Sequence, residues 1–179
     1  MLKDFNISSF KKMKPPGDNT FDASQEIKAL KKIPLNKKFV KDYDNIEKAF
    51  VKTAEEQGID YDKKIAGKLI SASAPIILKL KKHFDRPRPK ELAKKMNIKI
   101  KDIEMDSMKT ASYPSGHTAQ GVLIAKVLGD KYPKAKLAFA KTGQNISHSR
   151  NVARAHYKSD SKMGEKLANA MYKHVKDKI

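Results

Sequence analysis

The stretch SRNVARAHYKSD, Ser149 to Asp160, sets a guanidinium, an imidazole and a carboxylate at spacings that oxyanion chemistry can use. A helix through it, turning about 100° per residue, places His156 and Asp160 on one face, with Ser149 on nearly the same face. A carboxylate one turn away fixes an imidazole tautomer and leaves the far nitrogen of His156 as a positioned lone pair. Arg150 adds a planar fork that matches the oxygens of a phosphate. The set suggests a histidine nucleophile facing an oxyanion. A His–Asp pair at this spacing is by itself an ordinary surface or capping contact, so its weight depends on the rest of the chain.

Two other stretches answer it. In ASYPSGHT, Ala111 to Thr118, Ser115 stands at an N-cap position ahead of Val122, Leu123, Val127 and Leu128 at helical spacing, and Gly116 lets another group approach the backbone. Free N–H groups at that helix start suit a phosphate. His117, in the first turn, is placed to protonate a leaving oxygen. Earlier, KKHFDRPRP ends a cationic helix in two X-Pro pairs that force extended backbone, so Arg88 can fold back beside Lys81. The pair Lys79 and Arg86 has the same spacing and is an alternative register.

The elements that must position these residues read as helices. Stretches rich in Ala, Leu, Ile, Lys and Glu, with little β-branched alternation, predict an all-α single-domain helical bundle. Residues 1–40 read as an N-terminal arm and short helix wrapping the core, and 41–179 as the catalytic helical domain of one overall domain. Thr20 or Asp22 caps a helix carrying Ile27 and Leu30 that stops before Pro34. Lys41 to Gln57 reads as one helix, with Tyr43, Ile46, Phe50 and Ala54 on a stripe, and Tyr61 to His83 as a longer one that Pro75 should kink or divide. Residues 90–109 read as a short polar helix and a loop. Further helices run up to Tyr132-Pro133, from Lys134 toward Ser149, and through Met163, Leu167 and Met171.

Thirty-nine Lys and Arg against twenty Asp and Glu give a formal net charge of +19, which selects anionic partners by sign without identifying one. Aromatic residues do not interleave with the basic runs, so nucleic acid is not the expected partner. The chain has no cysteine, which removes disulfides and thiolate metal sites. No run of about 18 apolar residues occurs, and MLKDFNISSFKKMKPP lacks an apolar core of signal-peptide length. A soluble, cytoplasmic protein without stable membrane insertion is the expectation, with homo-oligomerisation left open.

Lysine, six residues, Arg-Pro; then PSGH; then Ser-Arg, five residues, His, three residues, Asp: this tripartite pattern resembles the type 2 phosphatidic acid phosphatase and vanadium haloperoxidase superfamily. The signature positions are Lys81, Arg88, Pro89, Pro114, Ser115, Gly116, His117, Ser149, Arg150, His156 and Asp160. SYPSGHT, HFDRPRP and the early PPG arm look most like the soluble bacterial class A non-specific acid phosphatases. The resemblance implies a helical bundle with the motifs at one end and phosphomonoester hydrolysis without metal or cofactor. By position, His156 would attack phosphorus and become a phosphohistidine, with Asp160 orienting it. His117 would protonate the leaving alkoxide and later activate water. Lys81, Arg88, Arg150, Ser115 and Gly116 would hold the phosphoryl oxygens. The substrate would be a small phosphorylated compound, such as a nucleotide, and vanadate would inhibit as a phosphate mimic. Competing readings are a vanadate-dependent haloperoxidase, a lipid-phosphate or pyrophosphate phosphatase, and a basic anion- or nucleic-acid-binding protein.

Overall fold

A computed structural model describes residues 1–179. The chain forms eight α-helices: α1 (Phe21–Lys31), α2 (Lys37–Asp44), α3 (Ile46–Glu56), α4 (Lys64–Phe84), α5 (Pro89–Lys95), α6 (Gly116–Lys131), α7 (Lys136–Val152) and α8 (Lys158–Val175). Single 3₁₀ turns at Phe10–Lys12, Asp106–Lys109 and Pro133–Ala135 complete the regular structure, which contains no strand. The expected all-α architecture is what the chain adopts.

Side-chain caps fix many of the helix starts. Thr20 accepts the Ala23 N–H, Asn36 that of Phe39, Asn45 that of Lys48, and Ser115 that of Thr118. Each such cap stabilises its helix by about 1 kcal/mol. Pro89 stands at the first position of α5, where its missing N–H has no helical partner to lose.

Helix α6 lies at the centre, packed chiefly on α7 and α8 and then on α4. Glycines set those distances. A Cβ on Gly143 would lie 2.9 Å from both Ala125 Cβ and the Gly121 carbonyl, so α7 sits on α6 backbone to backbone. Leu123, Ile124 and Leu128 of α6 join Leu69, Ile77 and Leu80 of α4, Phe139 and Ile146 of α7 and Leu167 and Met171 of α8 in the main core. Leu2 and Phe10 of the N-terminal arm insert into the same core, while Ala23 and Ile27 of α1 pack with Leu92, Ala93 and Tyr157. No helix is long and apolar enough to cross a membrane.

Three sequence expectations are corrected. The stretch Lys41 to Gln57 is two helices, because Asn45 is extended and its side chain caps α3 where a continuous helix would have had to pass. Pro75 does not divide α4, which continues from Lys64 to Phe84 with the proline on an exposed turn. Ser149 to Asp160 is not one helix: α7 stops at Val152 and α8 starts at Lys158.

Candidate active site

The break between α7 and α8 is what turns His156 back toward the bundle. Arg154 adopts a left-handed conformation, with φ of 57°, while the Ala155 N–H bonds the Arg150 carbonyl and the Arg154 N–H that of Asn151. This is the paired closure that usually calls for glycine at the left-handed position. Arg154 tolerates it because its guanidinium is pinned to the carbonyls of Lys31, Ile33 and Lys101. The chain then enters α8 so that Asp160, in its first turn, accepts the Tyr157 N–H at 3.1 Å and meets His156 Nδ1 at 3.0 Å. The four-residue spacing therefore works through a helix start rather than along a helix face.

Asp160 is fully buried and surrounded by donors. Arg86 Nη1 donates to its Oδ1 at 2.7 Å, and the Ser112 hydroxyl and His156 Nδ1–H reach Oδ2. Burial raises its carboxyl to about 6 against the opposing pull of Arg86, Ser112 and the Tyr157 amide, which leaves it ionised at neutral pH. On the other side of the ring, Arg88 Nη1 donates to His156 Nε2 at 3.0 Å. A guanidinium only donates, so Nε2 carries the lone pair and Nδ1 the proton. Burial and then Arg88 hold His156 well below its ordinary value, and the ring is neutral.

A cavity of about 190 Å³ opens beside His156, lined among others by Lys81, Arg88, Gly116, His117 and Arg150. It is smaller than the roughly 300–1,000 Å³ of pockets for drug-sized ligands, and suits a compact head group whose remainder lies outside. Lys81 donates to the Ala111 carbonyl at 2.6 Å, and burial followed by the Arg88 charge lowers its ammonium to about 7. Arg88, lowered by burial to about 10, stays charged and also donates to the carbonyls of Thr110, Ala155 and Ser107. Arg150 is fixed by Ser149 Oγ at Nε and by Asp44 at Nη1, whereas Nη2 is buried without a partner. That nitrogen is an unsatisfied buried donor on a residue that lines the cavity.

His117 donates from Nε2 to the Asp44 carbonyl at 2.8 Å, which assigns the proton to Nε2 and leaves Nδ1 as the titrating nitrogen. Burial, then Arg150, lowers it to about 4. The residues brought together from the sequence are thus Lys81, Arg88, Gly116, His117, Arg150 and His156, with Asp160 behind His156. Ser115 is different: its Oγ is committed to the Thr118 N–H, and its own N–H donates to the Asp160 carbonyl at 3.0 Å. It ties the helix starts of α6 and α8 together and does not line the cavity. Of the two registers, Lys79 lies on the exposed face of α4. Arg86 faces Asp160, Glu26 and Ser159, with its guanidinium stacked 3.6 Å from the Tyr157 ring centre, and lies off the cavity.

Sequence reasoning missed Asp44, Glu26 and Ser112. Asp44 carried one indirect signal, the capping Asn45 that follows it. Glu26 and Ser112 reach their partners across 60 and 48 residues and had none. No group of three or more His, Asp or Glu side chains is placed to hold a metal ion. A larger cavity of about 410 Å³ between α6, α7 and α8 contains none of the motif residues that line the smaller one.

Two curated proteins are similar to this chain, and both are non-specific acid phosphatases. That of Salmonella typhimurium is 38% identical over 84 residues, 47% of this chain and 33% of the relative. That of Salmonella typhi is 36% identical over 101 residues, 56% of this chain and 38% of the relative. The matched stretch therefore spans between 33% and 38% of the relatives' length. No protein-family model matches the chain.

Proposed function

We propose that this protein is a metal-independent phosphatase that hydrolyses phosphomonoesters, nucleotides and other small phosphorylated compounds among them, through a phosphohistidine. The observation that carries the reading is His156, whose Nδ1–H is held by the buried carboxylate of Asp160 while Nε2 meets Arg88 at the cavity. The likeness to two acid phosphatases supports the same class.

A phosphoryl group entering the cavity takes hydrogen bonds from Arg88, Arg150 and Lys81, and Arg88 leaves the His156 lone pair free for phosphorus. Nε2 attacks, the P–O bond to the leaving group breaks, and Asp160 stabilises the developing imidazolium. Burial first, and then Arg150 and Lys81, hold His117 low before substrate binds. The negative charge of the substrate offsets the cations and favours a proton at Nδ1, which His117 gives to the leaving oxygen. The neutral ring then takes a proton from water, whose oxygen attacks phosphorus and releases His156. Phosphoryl transfer asks for charge and positioning, which three fixed cations supply.

The test is hydrolysis of p-nitrophenyl phosphate by wild type and His156→Ala in EDTA, with and without vanadate. Turnover that survives EDTA, falls with vanadate and vanishes in the variant is the expected result. Turnover that persists in His156→Ala, or depends on added metal, would sink the phosphohistidine reading.

A further inference from the structure

Asp44 sets a negative charge against Arg150 and His117, two residues that line the cavity, without lining it itself. Its Oδ1 lies 3.1 Å from Arg150 Nη1 and 3.7 Å from His117 Nε2, and its backbone carbonyl accepts the His117 Nε2–H. The two partners differ in freedom: the Arg150 side chain is 1% exposed and the Asp44 side chain 47%. The cation is fixed and the carboxylate can swing away.

Arg150 has one unpartnered terminal nitrogen, Nη2, and one occupied by Asp44. A two-pronged grip on a phosphoryl group needs both. An incoming phosphate dianion therefore competes with the Asp44 carboxylate for Nη1, and two such charges against one guanidinium repel. The placement of Asp44 favours release, because it is the last residue of α2, just before the extended Asn45 that separates α2 from α3. The charged groups that face His117 are Arg150 and Lys81, which oppose its protonation, and Asp44, which favours it.

We infer that Asp44 is a positioning residue that serves as the resting counter-ion of the site: it holds Arg150 and His117 in place, yields Arg150 Nη1 to the substrate phosphoryl group, and supports the proton on His117 that goes to the leaving oxygen. The catalytic part rests on the phosphatase reading. The counter-ion part rests on the geometry alone.

Asp44→Asn keeps the shape and removes the charge, with Asp44→Ser as a second neutral variant and Asp44→Glu as the charged control. Calorimetric titration with inorganic phosphate is expected to give about tenfold tighter binding in the neutral variants and wild-type affinity in Asp44→Glu, from the loss of one competing charge near a guanidinium. With an alkyl phosphate, whose leaving group needs a proton, kcat is expected to fall at least about fivefold more than with p-nitrophenyl phosphate, whose leaving group does not. KM falls for both substrates. A neutral variant that melts like wild type yet binds phosphate no tighter overturns the counter-ion role. Equal losses of kcat on the two esters overturn the proton-supporting role. Wild type that binds phosphate but hydrolyses neither ester refutes the phosphatase reading alone, and calorimetry still decides the counter-ion.

Discussion

Lys81 is the cavity cation whose charge changes near neutral pH. Its ammonium is lowered to about 7, first by burial and then by Arg88, whereas Arg88 at about 10 stays charged. Only the protonated lysine attracts a phosphoryl dianion, so binding strength is present below about 7 and lost as pH rises through that value. With p-nitrophenyl phosphate, which leaves without needing a proton, kcat/KM is expected to fall by about tenfold per pH unit above this point. In Lys81→Arg the limb should move to higher pH, because a guanidinium holds its proton far more tightly. A limb that stays in place would assign the titration to another group. The same scale separates the two neighbouring arginines. Arg88 touches His156 and the cavity, while Arg86 bonds Asp160, Glu26 and Ser159 behind them. Spacing alone leaves both registers open, and only the direction in which each side chain leaves the turn after α4 separates them.

At the scale of elements, the site depends on how closely α8 lies against the start of α6. A Cβ on Gly164 would meet the Ser115 carbonyl at 2.7 Å, Thr118 Cβ at 2.9 Å and the Ala119 N at 3.2 Å, all of them parts that cannot swing aside. Gly164→Ala is expected to destabilise the fold by about 1–3 kcal/mol, the range for overpacking. It should also lower kcat, because the shift parts the Ser115 N–H from the Asp160 carbonyl. Gly129→Ala is the comparison, since its nearest neighbour is the flexible Lys136 Cγ at 3.1 Å. There the gain in helix propensity, about 1 kcal/mol, offsets the crowding. Thermal melts that shift equally would refute this account of the α6–α8 contact. Apolar periodicity made most helices legible, and α4 and α6 to α8 run close to their expected places. It failed at Asn45, where the stripe of Ile46 and Phe50 continues across a capped break. It failed again at Arg154, where a non-glycine residue ends α7 only because carbonyls of distant segments hold its side chain. The roles of Asp44 and Glu26 were illegible for the same reason: they exist only in contacts at least 73 and 60 residues away in the chain.

For the whole molecule, 39 basic against 20 acidic side chains give a net positive field. Two effects of that field can be separated by salt. Long-range attraction acts on the approach of substrate and is screened, since the Debye length shrinks from about 10 Å at 0.1 M to about 3 Å at 1 M. Lys81, Arg88 and Arg150 are buried, so on the proposed reading their contacts with a phosphoryl group would be screened far less. Raising salt is therefore expected to lower kcat/KM while leaving kcat nearly constant. The loss should grow with substrate charge, to about tenfold for a nucleoside triphosphate and about two- to threefold for p-nitrophenyl phosphate over that salt range. The measurement is kcat/KM for both substrates at a series of sodium chloride concentrations and one pH. Parallel slopes would mean that the surface lysines do not steer substrate and that the buried cations alone set its capture. A steeper slope for the triphosphate would tie the composition of the whole chain to the charge of the molecules it turns over.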